Sequence, residues 1–389
     1  MIRRSTPLVC LALTASLMAQ SQWFVGPGGY AQIRDVMPLV ANGDTVLVAP
    51  GTYFPFSCSR AITIRAATHG TVNIEWNFLA MPQTCGCTCL SAQGPVYFQL
   101  PTGQTAHVVG LSFAATFVPF TPCLSSIHQK VLVTSARVTF DNCAIDHLRI
   151  DNAAVHLQDC TITSGFVGAG ILANSADLTI AGGSVAGANA TTSLAATPGI
   201  QLTNSRLHAS GVTITGGAAS ATSSGAPGIQ ATGGSLWLAD ATVTAGGGCA
   251  VSANGLVRID RSTLNGSGAS CALSPTGAPL VGIDRTGPIR IGQLFQVTLT
   301  SEPNALLVLY GTVGLAAPVV VPVLDQPVWI DATSLFLSDL TVATPLGQTT
   351  FSYAVPQFPA LVGAQFWLQG VGGMTLPLQT TPVVGGIVR

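Results

Sequence analysis

The side chains best suited to bind a ligand recur at two positions of a pattern that repeats through the middle of the chain. The first position holds Thr139, His156, Thr179, His208, Trp237 and Arg258, and the second holds Asp141, Gln158, Ala181, Ser210, Ala239 and Asp260. We call these two columns the outward ladder, because the apolar residues that flank them are expected to face inward. Aromatic, imidazole and guanidinium groups in register can stack on sugar rings and hydrogen-bond their hydroxyls. The pattern therefore predicts that His156, His208, Trp237, Arg258 and Asp260 bind a glycan.

Trp237 is the most informative residue of the outward ladder. It stands between Leu236 and Leu238, which the alternation turns inward. An outward tryptophan in such a strand needs a cover, because exposed apolar surface usually marks an interaction site. A ligand would supply that cover, and so would a loop or the C-terminal part of the chain. The sequence leaves both alternatives open.

Charged and titratable residues concentrate between 128 and 160 in a chain that is otherwise nearly uncharged. They are His128, Lys130, Arg137, Asp141, Asp146, His147, Arg149, Asp151, His156 and Asp159. Asp146, His147 and Asp151 lie near one predicted turn and are candidates for a Ca²⁺ or catalytic site. Ca²⁺ takes six to eight oxygen ligands, which this set does not supply by itself. Ordinary turn and solvent-facing roles explain the same residues, so both interpretations stay open.

Two pairs of cysteines lie at matching positions among the ten of the chain. Cys143 and Cys160 share one inward position in consecutive repeats, and Cys249 and Cys271 begin the similar strings CAVSANG and CALSPTG. Neighbouring strands lie at a separation that a disulfide accepts. All four residues are therefore disulfide candidates. Reduced cysteines that fill core space are the alternative for the first pair.

Cys85, Cys87 and Cys89 alternate within an irregular segment. Neither a CxxC pair nor a histidine at ligand spacing completes a tetrahedral metal set there. We predict a disulfide-stapled loop with Cys58 or Cys123 as partner, and no metal site.

The elements that must position these side chains are strands. The pattern starts at Val131, Leu148, Ile171, Ile200, Ile229 and Ala250. The seventh residue after each start is apolar, and apolar or small residues follow two, five and seven residues further on. Period-2 alternation indicates strands, and no single repeat can bury its apolar face alone, so the repeats must stack. The fourth residue after each start is Ser, Asn or Gly, types that tolerate a left-handed backbone. These features predict a parallel β-helix with one coil per repeat.

The segment before the repeats carries further fold signals. A short amphipathic helix with Ile33, Val36, Met37 and Val40 on one face is predicted to cap the first coil. Around it stand Gly28-Gly29, Gly43-Asp44-Thr45-Val46 and Pro50-Gly51-Thr52-Tyr53. In these strings the chain resembles the pectin-lyase-like right-handed β-helix proteins over about residues 23 to 280. The resemblance implies the fold, whereas that superfamily includes lyases, hydrolases, epimerases, adhesins and proteins without known activity.

The resemblance also implies what an active site would contain. Pectate-lyase types hold Ca²⁺ with several carboxylates and use an Arg or Lys as base. Polygalacturonase types use three Asp, a Gly-His-Gly and an Arg-x-Lys. This chain has none of the hydrolase strings, and inverting hydrolysis needs a pair of carboxyl groups on either side of the sugar.

Composition and the N-terminus define the expected setting. Only 7% of the 389 residues are charged and the net charge is −1, which excludes nucleic acid as a partner. A basic start at 1–4, an apolar run at 7–18 and the small Ala19 predict a signal peptide over 1–19. This run is too short to span a membrane, and no second long apolar run follows. We therefore expect a secreted or cell-surface protein without a transmembrane segment.

After residue 281 the repeat stops. Short strand-like runs separated by Pro and Gly predict a smaller antiparallel β-sandwich over 282–389, after a β-helix domain over 20–281. The string PQFPALVGAQFWLQ (356–369) resembles a C-terminal module of large secreted bacterial proteins. The predicted fold class is thus all-β, with a capped β-helix followed by a sandwich.

These observations favour a non-catalytic function. We expect a secreted or cell-surface-associated structural scaffold or glycan-binding module, with a polysaccharide or cell-surface glycan as partner and no cofactor. The alternative is a polysaccharide lyase acting on an acidic polysaccharide, and Ca²⁺ enters only there. Glycan binding predicts an exposed Trp237 flanked by His208 and Arg258, whereas a lyase predicts carboxylates clustered around a basic residue in an open groove.

Overall fold

Strands account for nearly all regular structure in the computed structural model, which describes residues 21–75, 95–113, 131–164, 168–266 and 279–389. Within those ranges, three long parallel sheets of ten, nine and eight strands are followed by three small antiparallel sheets. We call 21–266 the three-sheet region and 279–389 the C-terminal region.

Sheet A has ten parallel strands in the described part of the chain. They are β1 (Gln22–Val25), β2 (Thr45–Val48), β5 (Thr63–Ala66), β8 (Thr105–Val109), β11 (Arg137–Asp141), β14 (Ala154–Gln158), β17 (Asp177–Ala181), β20 (Arg206–Ser210), β23 (Ser235–Ala239) and β26 (Leu256–Asp260).

Sheets B and C run beside it. Sheet B contains β3 (Gly51–Tyr53), β6 (Val72–Ile74), β9 (Leu111–Phe113), β12 (Ala144–Asp146), β15 (Thr161–Thr163), β18 (Ser184–Ala186), β21 (Thr213–Thr215), β24 (Thr242–Thr244) and β27 (Thr263–Asn265). Sheet C contains β4 (Ser57–Cys58), β7 (Val96–Phe98), β10 (Val131–Thr134), β13 (Leu148–Asp151), β16 (Ile171–Asn174), β19 (Ile200–Thr203), β22 (Ile229–Thr232) and β25 (Val251–Ala253). Each repeat gives one strand to each sheet, an arrangement consistent with a parallel β-helix.

The predicted register agrees with the strand pairing, apart from one position. Val131 pairs with Leu148, and the same match continues through Ile171, Ile200 and Ile229. Ile229 then pairs with Val251 and not with the predicted Ala250, although the next strand returns to register with Leu236 opposite Val257. The last turn between sheets C and A is therefore one residue shorter than the others.

The turns explain the Ser, Asn and Gly residues of the repeat. Ser135, Asn152, Ser175, Asn204 and Gly233 have φ between 48° and 71°. This is the left-handed region, which these residue types tolerate better than branched or bulky ones. The predicted left-handed turn is confirmed at these five positions, and the shortened turn at Asn254 lacks it.

The core of the three-sheet region is one apolar cluster that extends from Val25 to Val257. Inward residues of successive strands stack within it, and Phe140 lies edge to face with Phe98 at 5.7 Å and with Phe113 at 6.2 Å between ring centroids. Such aromatic pairs add roughly 0.5–1.5 kcal/mol to the area that they bury. Packing between repeats therefore holds the sheets together.

The helix α1 (Ile33–Val36) precedes β2. Ile33 and Val36 are buried in the same core cluster, and Met37 packs against it. Asp44 fixes the adjoining turn, because its carboxylate accepts hydrogen bonds from Ser21 N, Trp23 Nε1 and Ala41 N at 2.8–2.9 Å.

The C-terminal region contains sheets D, E and F. Sheet D comprises β28 (Gly282–Thr286), β29 (Leu294–Thr300) and β34 (Gln348–Ala354); sheet E comprises β33 (Leu335–Val342), β30 (Leu306–Thr312), β35 (Gln365–Gly373) and β36 (Gln379–Ile387); sheet F pairs β31 (Leu315–Val319) with β32 (Val328–Ile330). Strand β36 lies against β14, β17 and β20 of sheet A. The core of sheets D and E includes Ala181 of β17, so the two regions share apolar packing.

Among the described helices, none combines the length and apolar character needed to cross a membrane.

Candidate functional site

The outward ladder forms two continuous columns on sheet A. Strand pairing places Thr139, His156, Thr179, His208, Trp237 and Arg258 in one column and Asp141, Gln158, Ala181, Ser210, Ala239 and Asp260 in the other. The columns extend further than predicted, because β8 adds His107 and Val109, and β5 adds Thr63 and Arg65. The predicted alignment of these side chains is confirmed.

The ladder is buried along most of its length. His156, His208 and Trp237 are 1%, 3% and 4% exposed. Strand β36 of the C-terminal region lies against the middle of the ladder, and Trp237 packs with Leu280. Of the two alternatives for Trp237, the structure therefore shows a cover that the chain itself provides. The exposed Trp237 that glycan binding predicts is not seen, because the outward ring packs against Leu280 and is thereby removed from water.

Two histidines of the ladder hold a tryptophan of the C-terminal region. The Trp367 ring lies 5.7 Å from the His107 ring at an interplanar angle of 28°, and 5.6 Å from the His156 ring at 87°. His107 Nδ1 shares a 2.7 Å hydrogen bond with Thr139 Oγ1, and His156 Nδ1 shares one of 2.7 Å with Thr179 Oγ1. Threonine on the next strand thus fixes each imidazole in a defined orientation against Trp367.

Burial determines the charge of the ladder histidines. It lowers the pKa of His107, His156 and His208 to about 3, since a charged imidazole loses its hydration there. Positive neighbours add to the effect: Arg137 lowers the pKa of His107, and Arg285 lowers that of His156. These imidazoles are neutral at pH 7 and shielded from solvent, so they are unsuited to proton exchange with a ligand.

His208 and Trp237 lie in contact, but their polar ring atoms have no hydrogen-bond partners. Their rings meet edge to face at 6.3 Å. Neither ring nitrogen of His208 has a hydrogen-bond partner, and Trp237 Nε1 has none either. A cavity of about 10 Å³ lies beside them, lined also by Trp329 and Thr179. This space is near the minimum that a single water molecule needs.

Asp141 of the second column belongs to an ion-pair cluster around the buried Arg285. Arg285 of β28 donates from Nη2 to Asp141 at 2.7 Å and to Asp159 at 3.0 Å, and from Nε to Asp159 at 3.1 Å. It also donates to the carbonyl oxygen of Gly385. Burial lowers the pKa of Arg285, but the two carboxylates more than offset this effect and raise it. We call Arg285, Asp141 and Asp159 the inner cluster.

Arg258 and Asp260, the last two predicted glycan contacts, are also engaged within the protein. Arg258 pairs with Asp325 of the C-terminal region. Asp260 pairs with Arg261 and accepts a 3.0 Å hydrogen bond from Leu280 N. Arg261 further pairs with Asp240 at 2.8 Å. We call Arg261, Asp240 and Asp260 the outer cluster.

In the described part of the ionic segment at 128–160, Asp141 and Asp159 meet at Arg285, but the candidates Asp146, His147 and Asp151 do not form one centre with them. His147 is buried and its Nδ1 lies 2.7 Å from the carbonyl oxygen of Ala169, while Asp151 binds Arg149 and Asn174 at 2.7 Å. Asp146 lies at the end of β12, and His128 and Lys130 lie outside the described residues. Within the described residues, no three His, Cys, Asp or Glu side chains are grouped to hold a metal ion.

The inward cysteine pair is not joined. Cys143 and Cys160 are free, buried thiols. Cys143 Sγ donates to the carbonyl oxygen of Val108 at 3.6 Å, and Cys160 Sγ to that of Phe140 at 3.3 Å. Burial raises the pKa of Cys160 well above its ordinary value, and the adjacent Cys143 raises it further. Of the two alternatives left open for this pair, the structure therefore shows core thiols and not a disulfide.

The other cysteine predictions fall largely outside the described residues. Cys249 is disulfide-bonded, but its predicted partner Cys271 lies outside the described residues, so the identity of the pair stays a prediction. Cys85, Cys87, Cys89 and Cys123 also lie outside them. Cys58 is a free, buried thiol, which contradicts its proposed role as a partner for that loop.

Four residues at this interface were missed from the sequence. His107 and Arg65 occupy ladder positions that could have been found by extending the register through the string AHVVGLSF to β5. Trp367 lies in the string that resembles a C-terminal module, but the neighbouring sequence does not predict which residues it contacts. Arg285 had no signal, since it meets Asp141 across 144 residues of sequence.

The arrangement as a whole neutralises its own ionic groups. In the ladder, Asp141, Arg258 and Asp260 each meet an opposite charge from the chain, as buried charges require. Carboxylates do surround a basic residue in the inner cluster, as a lyase would need, but Arg285 is only 3% exposed. The geometry thus suits docking of the C-terminal region better than turnover of a polymer.

Comparisons of the chain with protein-family models and with curated proteins gave no match.

Proposed function

We propose that this chain is a secreted or cell-surface-associated, non-catalytic structural scaffold. Its body is a right-handed parallel β-helix of the pectin-lyase-like type, capped by α1, and a C-terminal β-sandwich is docked along one side. The contribution of each repeat to all three sheets supports the β-helix. The burial of Ile33 and Val36 in the core cluster supports the cap.

The burial of the outward ladder is the observation that carries the proposal. An enzyme or lectin that acts on a long glycan needs an open face on which the chain can lie. The face with the most suitable side chains is instead occupied by the C-terminal region. Trp367 fills the space between His107 and His156, and Arg285 neutralises Asp141 and Asp159. Glycan binding by the ladder would require the C-terminal region to leave it.

The extracellular setting belongs to the same proposal. The predicted signal peptide over 1–19 and the very low charge support it. Production of the full chain in a secreting host tests this part. Intact-mass analysis is expected to find the protein in the medium with its N-terminus at residue 20. Retention of residues 1–19, or of the protein inside the cells, would contradict it.

A glycan array, run with and without EDTA, separates the scaffold from its two rivals. The scaffold predicts that no acidic or neutral glycan binds in a manner that depends on Trp237. The matched variants are Trp237→Ala and Leu236→Ala, because both remove a large side chain from β23 but only Trp237 belongs to the ladder. Binding that disappears in Trp237→Ala and persists in Leu236→Ala would establish the glycan-binding alternative.

A lyase assay on polyuronates completes the test. Lyases leave an unsaturated uronate that absorbs in the ultraviolet, so product formation can be followed directly with and without added Ca²⁺. The scaffold predicts no product. Ca²⁺-dependent product that is lost in Asp141→Asn or Asp159→Asn would establish the lyase alternative and place its chemistry at the inner cluster.

A further inference from the structure

A cavity of about 170 Å³ lies at the N-terminal end of the outward ladder, where the ladder meets the end of the C-terminal region. Its lining includes Arg65, His69, Gly110, Val362 and Arg389. Arg65 belongs to β5 and pairs with Val109 of β8. Arg389 is held from the other side, because its backbone N–H donates to the carbonyl oxygen of Ile289 and its main-chain oxygen accepts from Ile291 N. The two regions therefore each contribute one guanidinium group to the cavity.

These two guanidinium groups have unused donors. Arg65 Nε and Arg389 Nη2 are both buried without a hydrogen-bond partner. Arg389 pairs with Asp141, whose Oδ2 lies 3.7 Å from Arg389 Nη2. All 15 Asp and Glu residues lie within the described part of the chain, and none of them forms an ion pair with the Arg65 side chain.

Arg65 lacks a carboxylate partner here, whereas Arg389 contacts Asp141. Asp141 already accepts from Arg285 at 2.7 Å and is therefore shared between two arginines. Burial lowers the pKa of Arg65, and the positive charge of Arg389 lowers it further. Buried charges in folded proteins are normally paired or bound to an ion of opposite charge. An unpaired donor beside a second arginine is thus the arrangement expected of an anion site.

We propose that this cavity binds a small oxyanion through Arg65 and Arg389. The planar guanidinium fork matches the oxygen spacing of carboxylate, sulfate and phosphate, and two forks can hold one tetrahedral anion from both sides. Val109, Val362 and Ile387 supply an apolar wall, which limits the ligand to a small ion. Because Arg65 and Arg389 come from different regions, the anion would join the C-terminal region to sheet A. This site is independent of the proposed scaffold function.

Isothermal titration of the full-length chain with inorganic phosphate, sulfate and acetate tests the site. Ionic strength is held constant with sodium chloride, because sulfate and phosphate also stabilise proteins without binding. The variants are Arg65→Gln and, as a matched control, the exposed Arg60→Gln. We expect one saturable site for at least one tetrahedral anion in the wild type and in Arg60→Gln, and binding weakened by about tenfold or more in Arg65→Gln.

Thermal unfolding gives a second readout. In chloride alone, Arg65→Gln is expected to unfold at the wild-type temperature or above it, since the change removes repulsion from Arg389. Phosphate should then raise the unfolding temperature of the wild type more than that of the variant, because a ligand stabilises the state that binds it. Acetate binding as tight as sulfate and phosphate binding would identify a carboxylate as an equally suitable ligand.

Two outcomes would overturn the proposal. One is equal affinity of the wild type and Arg65→Gln for each anion. The other is the absence of saturable binding of phosphate, sulfate and acetate to the wild type, together with an unfolding temperature that rises equally in all variants.

Discussion

Arg285 and Arg261 each hold two aspartates where sheet A meets the C-terminal region, but they do so in different surroundings. In the inner cluster, Arg285 and Asp141 are 3% and 5% exposed. In the outer cluster, Arg261 is 29% exposed. Arg285 comes from the C-terminal region and reaches across to sheet A, whereas Arg261 pairs with aspartates of its own three-sheet region and touches the C-terminal region through Leu280 and Thr300.

The difference shows where docking of the C-terminal region is decided. Breaking a buried ion pair leaves a charge without partner or water and costs about 3–5 kcal/mol. Partly exposed pairs contribute about 0–1 kcal/mol, because water replaces the lost partner. The same chemistry therefore has a large effect at the inner cluster and a small one at the outer cluster.

Replacement of Arg285 is the strongest test of this difference. Arg285→Met leaves the buried Asp141 with only its 3.7 Å contact to Arg389, so we expect the free energy of unfolding to fall by about 3 kcal/mol, the lower end of the range for a broken buried pair. Urea denaturation followed by circular dichroism measures it. A loss no greater than that of Arg261→Met would remove the distinction between the two clusters.

Removal of the Trp367 ring tests the apolar contact between the C-terminal region and the outward ladder. The ring is buried against His107 and His156, so Trp367→Ala is expected to lose about 3 kcal/mol, the lower end of the range for buried aromatic residues. Phe336→Ala is the control, because Phe336 is an exposed residue of the same region. The same urea titration applies, and equal losses in the two variants would show that Trp367 is not held by the ladder.

Acid should weaken the interface through its histidines. Burial holds the pKa of His208 at about 3 in the folded protein, below the value of about 6.5 for a free histidine. Below pH 6.5 the unfolded chain therefore gains a proton that the folded chain does not, and stability falls until about pH 3. At pH 5 each such histidine costs about 2 kcal/mol relative to pH 7.

His208→Phe and His156→Phe test this prediction at two positions of the outward ladder. Both variants should show a shallower loss of stability between pH 7 and pH 5 than the wild type. At pH 7, His208→Phe is expected to be nearly neutral because its ring nitrogens have no partners, whereas His156→Phe loses the hydrogen bond to Thr179. Urea midpoints across this pH range measure both effects. An unchanged slope in His208→Phe would mean that the imidazole takes up protons freely in the folded protein.

The smallest effect is expected at the outer cluster. Arg261→Met should lower the free energy of unfolding by less than about 1 kcal/mol. Screening should reduce even this loss when sodium chloride is raised, because exposed ion pairs weaken with salt. Urea titrations at low and high salt give the comparison. A loss above 3 kcal/mol that is insensitive to salt would place Arg261 in the same class as Arg285.

The sequence predicted what local periodicity controls. Alternation gave the strands, the inward residues and the alignment of His156, His208 and Trp237, because side-chain direction has a strict period of two in a strand. Residue types at the turns gave the left-handed positions. The register prediction failed at Ala250, because one turn there is a residue shorter. The apolar alternation from Val257 onward is in the predicted register, so the sequence pattern gives no sign of the shorter turn.

What covers the ladder was beyond the reach of periodicity. Outward side chains are chosen by whatever faces them, and here the partners lie far along the chain: Asp141 meets Arg285 across 144 residues. His156 and Trp237 have residue types that suit sugar binding, and the same types suit a contact with the C-terminal region. Cys143 and Cys160 illustrate a similar limit, because matching register permits both a disulfide and two thiols.

The most direct test asks whether the ladder is covered in solution. Diethyl pyrocarbonate modifies accessible imidazoles, and peptide mass spectrometry reads each histidine of the full-length protein separately. His69 is exposed and serves as the internal reference for His107, His156 and His208. We predict that at pH 7 His69 is modified while the three ladder histidines are protected. Modification of His156 and His208 at the rate of His69 would show an open face and contradict the docked arrangement.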